Sequence, residues 1–85
     1  MIKCVIDVEA IEFSNAADIY REGLKEIEKK TDLVMDVTNV NNVDISGIAV
    51  LFSWWQDAIR MHVNCHFELS SSVIEVLHAH DLELP

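Results

Sequence analysis

The chain has 85 residues, with fifteen acids against six bases and a net charge of −9. That length lies below the ~100–150 residues of a common domain and leaves room for one folding unit over residues 1–85. So acidic a chain repels phosphates, which excludes nucleic acid and anionic lipid as partners, while 51% hydrophobic residues argue against disorder.

Cys4, Ile6 and Val8 alternate with Val5, Asp7 and Glu9, the period of a strand, and a break at Glu9-Ala10 would divide residues 2–13 into two short strands. Ser14 and Asn15 are suited to cap a following helix over about 16–30. Its apolar stripe is Ala17, Tyr20, Leu24 and Ile27, and Gly23 in its interior costs roughly 1 kcal/mol relative to Ala, a presence that close approach to a neighbouring strand would explain. Leu33 to Val37 reads as a buried central strand, and Asn41-Asn42 as a turn. After Gly47 the period changes. Ile48, Leu51, Phe52, Trp55, Ala58, Ile59 and His62 advance by threes and fours, predicting a helix of about four turns. Cys65, Phe67 and Leu69 alternate with polar residues as a further strand, and Ser72-x-x-Glu75 has the form of a capping box opening a short helix to about Ala79. The order β(β)αβαβα implies an α/β fold with about three helices and a mixed sheet of four or five strands.

The stretch from Asp36 to Leu51 carries the most information: a strand ending Asp36-Val37-Thr38, a short loop, then Asp44-Ile45-Ser46-Gly47-Ile48 opening a helix. Physically, Asp44 is placed to accept helical amides and Gly47 to allow close backbone approach. This pattern resembles the signature of STAS domains, the family of anti-sigma-factor antagonists and of domains in anion transporters. The likeness extends over about residues 13–84, with Phe67-Glu68-Leu69-Ser70 and Val73, Val76, Leu77 and Leu82 similar to the family's last strand and helix. It implies a regulatory loop at Asp44, Ile45, Ser46 and Gly47 and a partner face on that loop and the helix after it.

One position departs from the family. Phosphorylated members carry Ser or Thr directly after the motif Asp, and here that residue is Ile45, which has no hydroxyl. Ser46 is the fallback phosphoacceptor; its other role is hydrogen bonding in the first helical turn. Besides its core stripe, the helix has a second apolar line at Val50, Trp54 and Met61. Trp54 and Trp55 are about 100° apart, so one of them is expected at the surface. With Asn41 and Asn42, the second line is the expected partner-binding surface.

Other chemistries find little support. His62, Cys65 and His66 are ligands by type but lack the spacing of a zinc finger or ribbon, so no metal is expected. Ser70-Ser71-Ser72 falls where a helix cap is needed, and there is no Gly-rich phosphate loop. No catalysis and no cofactor are therefore expected. Two cysteines, no leader and no long apolar run point to a cytoplasmic protein without membrane insertion. The resemblance implies a protein-binding regulator of the anti-sigma-factor-antagonist type, its partner an anti-sigma factor or serine kinase. The alternative is an accessory subunit binding the ATPase of an ABC phospholipid-transport system. Residues 31–85 hold eight acids and one base, a balance of −7, so a basic surface on the partner is expected.

Overall fold

A computed structural model describes residues 2–84, with five strands and three helices in chain order: β1 (Ile2–Val5), β2 (Ala10–Ile11), α1 (Ala16–Lys29), β3 (Asp32–Val37), β4 (Asn42–Val43), α2 (Ile45–Arg60), β5 (Asn64–Leu69) and α3 (Ser71–Ala79). The α/β class and the element order follow the sequence, with β4 added where a turn was expected. The sheet differs in detail. Instead of one mixed sheet there is a parallel three-stranded sheet, β1-β3-β5, and a parallel pair, β2-β4. The pair continues the path of β1 and β3. Ile2 stands opposite Leu33 and Val5 opposite Asp36, whereas Ala10 stands opposite Asn42, one residue further along the second segment. The turn closed by Val40 N–H to the Val37 carbonyl, 3.0 Å, takes up that extra residue.

Strand order β1-β3-β5 with right-handed crossovers puts α1 and α2 on one face of the sheet. On that face Leu33, Met35 and Val37 are fully buried, while Val34 and Asp36 on the other are only half-buried. β3 is thus central but covered fully on one side. The α1 stripe is rotated from the expected one: Ile19, Gly23 and Ile27 are buried, Tyr20 and Leu24 flank them, and Ala17 is exposed. Gly23 meets a helix and not a strand, since a Cβ there would run into the Trp54 indole of α2. Asn15 sits at the N-cap of α1, but its side chain accepts from Glu12 N–H and not from a helical amide. The capping box at Ser72 does not form. Ser70 caps α3 instead, accepting from Val73 N–H at 3.1 Å and donating to the Val40 carbonyl at 2.5 Å.

Helices α2 and α3 end alike. His62 and Asp81 adopt φ of 58° and 55° just beyond the caps, and Val63 and Leu82 return N–H bonds to Ala58 and Leu77 at 2.8 Å. This is the Schellman arrangement, usually built on glycine. Both glycines of the chain serve elsewhere, Gly23 under Trp54 and Gly47 against the Ile11 carbonyl.

Candidate functional site

The site forms at the C-terminal ends of β2 and β4, where Asp44 joins two chain segments. Its Oδ1 accepts Gly47 N–H at 3.0 Å, capping α2, and its Oδ2 accepts Phe13 N–H at 3.0 Å from the turn before α1. One carboxylate thus sets the start of α2 and tethers a segment 31 residues away. These bonds, Gly47 foremost and Phe13 next, hold the Asp44 carboxyl below its ordinary value of 3.8. Gly47 is required here because a Cβ would strike the Ile11 carbonyl oxygen and stand 3.0 Å from Val43 Cβ.

The Phe13 turn is braced a second time. Asn15 accepts Glu12 N–H through Oδ1 at 2.8 Å and donates through Nδ2 to the Ala10 carbonyl at 2.9 Å. Phe13 is nevertheless 85% exposed, and Ile45, first residue of α2, is 68% exposed. Two large apolar side chains therefore stand in solvent on backbone that is firmly held. That is the reverse of what burial alone would select.

From Ile45 the exposed face of α2 continues through Ala49, Phe52, Gln56 and Ile59, positions that share one side of a 3.6-residue helix over about 21 Å. Ile59 is 56% exposed; Phe52 and Trp55 are half-buried and meet edge to face with centroids 6.4 Å apart. No charged residue occurs from Ile45 to Gln56. The first, Asp57, is buried, accepting from the Tyr20 hydroxyl and pairing with Arg60. By contrast α1 presents Asp18, Arg21, Glu22, Lys25, Glu28 and Lys29.

Two residues of the expected surface are buried. Val50 and Trp54 lie in the core, Trp54 fully buried with its Nε1 donating to the Tyr20 carbonyl at 2.9 Å, because the α1-α2 contact consumes that side of the helix. Of the stripe that periodicity assigns to the core, Ile48, Leu51 and Ala58 are buried, Phe52 packs against the core while half-buried, Trp55 is half-buried and Ile59 is exposed. Met61 is exposed at the C-cap, a whole helix from Ile45. Asn41 and Asn42 are exposed at the start of β4, beside Glu9, their amides both donating to its carbonyl at 2.7 and 3.2 Å. Ser46 is partly buried in the first turn of α2. Phe13 escaped sequence reading because the strand pattern absorbed it; the missing charge along α2 was the one legible sign of the outer stripe.

Among the described residues no group of three His, Cys, Asp or Glu is arranged to hold a metal. Cys65 and His66 are neighbours on β5 and so face opposite sides of the sheet, away from the exposed His62. Burial pushes the Cys65 thiol up to about 11 and raises that of Cys4. No described helix is long and apolar enough to cross a membrane. A search of curated proteins returns no match. The Asp-capped helix start, the parallel α/β topology and the segment leading into them agree with a STAS domain family profile that matches residues 4–83. The chain belongs to the STAS domain family.

Proposed function

We propose that this STAS domain is a non-enzymatic cytoplasmic regulator that binds a protein through the Phe13 turn and the outer stripe of α2, with no phosphoswitch at the motif position. The observation that carries this reading is the 68% exposure of Ile45, next to the helix-capping Asp44. An isoleucine in solvent at a rigid helix start gains little for folding, but it supplies apolar area to an interface. Phe13 adds an aromatic anchor held at fixed backbone geometry, so little conformational entropy is lost on docking. The balance of −7 over residues 31–85 favours a partner with a basic rim and an association rate that falls with salt.

The leading role is of the anti-sigma-factor-antagonist type, its partner an anti-sigma factor or serine kinase. The other is an accessory subunit of an ABC phospholipid transporter, bound to its ATPase. Ile45 favours the second in one respect, because a constitutive subunit has no need of a phosphoacceptor. The test places a photo-crosslinking residue at Ile45 and Ile59, with exposed Glu75 on α3 as control. A protein captured from both α2 positions and not from Glu75 supports the surface, and its identity as a kinase or an ABC ATPase separates the roles. Equal capture at Glu75, or none at Ile45, removes it.

A further inference from the structure

β1 is an outer strand of the three-stranded sheet. Ile6 N–H donates to the Asp36 carbonyl at 2.9 Å, with Val5 in register with Asp36, so residues 2, 4 and 6 turn their backbone groups toward β3. The N–H and C=O groups of Lys3 and Val5 turn outward; Asp7 follows two residues beyond β1, its carboxylate 3.5 Å from Asn39 Nδ2. Natural edges of this kind are guarded by charges, prolines or bulges. Here the one charge on β1 is Lys3, and its ammonium is drawn across the open sheet face to Glu68 at 3.0 Å and Asp36 at 3.8 Å. Ile2 and Val5 are each 51% exposed, on opposite faces of the strand.

The segment Lys3-Cys4-Val5-Ile6-Asp7 is complementary to itself when reversed. We propose that the outer edge of β1 pairs antiparallel with β1 of a second copy of this chain, about a two-fold axis centred on Val5. In that register Lys3 of each copy stands opposite Asp7 of the other, so one opposite-charge pair forms at each end of the interface, Lys3 exchanging Glu68 and Asp7 exchanging Asn39 for the new partner. Val5 meets Val5 at the axis, covering a half-exposed apolar side chain, and Cys4 lies across from Ile6 on the helix side. The outward groups of Val5 bond to those of Val5 in the second copy, and those of Lys3 to the extended chain at its Asp7, joining the two sheets into one of six strands. A two-fold interface requires such self-complementarity, and a one-residue shift would lose the charge pairing. The net charge of −9 on each copy opposes association, so the pairing is weak and concentration-dependent. α2, which connects β3 to β5, stays clear of this edge. The dimer therefore presents two α2 stripes and would bind a paired target with avidity.

The test measures molar mass by sedimentation equilibrium over a range of concentrations, with amide hydrogen exchange on the same samples. A monomer–dimer equilibrium is expected, with Lys3 and Val5 amides gaining protection as concentration rises. Lys3→Asp and Asp7→Lys each weaken dimerisation roughly tenfold, since each turns two attractive cross-strand pairs into repulsive ones. The double swap restores it at unchanged net charge. Asp7→Lys alone makes the chain less acidic, so a dimer limited only by net charge would tighten with it, contrary to the proposal. Val5→Lys, at an exposed position, abolishes pairing while circular dichroism stays unchanged. A monomer at every concentration overturns the inference. So does a dimer indifferent to these changes, which would pair through another surface, or a double swap that stays weak.

Discussion

A Cβ placed on Gly23 would stand 2.5 Å from both Nε1 and Cζ2 of Trp54, inside van der Waals contact with a fully buried indole. The same Nε1 donates to the Tyr20 carbonyl at 2.9 Å, and the Tyr20 hydroxyl reaches Asp57 of α2. α1 and α2 are thus joined along one line by a glycine gap, an indole and a buried carboxylate. Gly23→Ala would gain roughly 1 kcal/mol from helix propensity alone. Overpacking a buried gap costs about 1–3 kcal/mol, so a net loss of up to about 2 kcal/mol is expected as a lower urea midpoint at constant slope. A higher midpoint would mean that the indole yields freely.

The opposite sign is expected at the two helix ends. His62 and Asp81 hold left-handed backbone without being glycine, at φ of 58° and 55°. His62→Gly and Asp81→Gly relieve a cost of roughly 1 kcal/mol each and should raise thermal stability by a few degrees. His62 is exposed, so a loss on replacing it would have to come from the backbone alone.

Ser70 and Ser72 separate the observed cap from the one suggested by the capping-box pattern. Ser70→Ala removes a bond from Val73 N–H and a bond to the Val40 carbonyl, and should cost about 1–2 kcal/mol. Ser72→Ala should leave the midpoint within error, since Ser72 lies inside α3. Chemical denaturation of both variants decides between them, and equal losses would contradict the observed cap.

Acid should loosen the site first. The carboxyls of Asp44 and Asp36 are both held below 3.8, Asp44 chiefly by Gly47 and Phe13 amides and Asp36 by the Thr38 hydroxyl and amide. A folded value below the unfolded one gives stability that is present above 3.8 and lost as pH falls through the lowered value. Asp44→Asn keeps an oxygen for Gly47 N–H but offers Phe13 N–H no second acceptor. The variant should keep α2, release the Phe13 turn and lose part of the acid dependence. Hydrogen exchange at the Phe13 amide, measured against pH, reads this directly. Protection equal to wild type would show that Asn15 alone holds the turn.

How much of this was legible differs element by element. The motif at Asp44-Ile45-Ser46-Gly47 was readable because capping is a local event: a carboxylate, a three-residue step and a small residue are enough. β4 was not, because Asn42 and Val43 are a strand only by pairing with Ala10 and Ile11, some thirty residues back. The cap of α3 misled for a related reason. Ser70 and Ser72 both suit the role, and Ser70 is favoured by the Val40 carbonyl, which belongs to a distant turn.

The sequence by itself determined the α/β order, the helix start at Asp44, the missing hydroxyl at Ile45 and the acidic balance, since each resides in neighbouring residues or in a sum over them. Periodicity placed Ile48, Leu51 and Ala58 inward, as they are, but tertiary structure alone decided which tryptophan of α2 joins them. That helix has more apolar residues than one face can bury, so periodicity permits either tryptophan in the core. The gap at Gly23 accepts Trp54, and with that choice Trp55 is left half-buried and Ile59 turns toward solvent on the side of Ile45. The acidic balance is a sum any reader of the chain can take; which tryptophan of α2 is buried depends on one glycine of another helix.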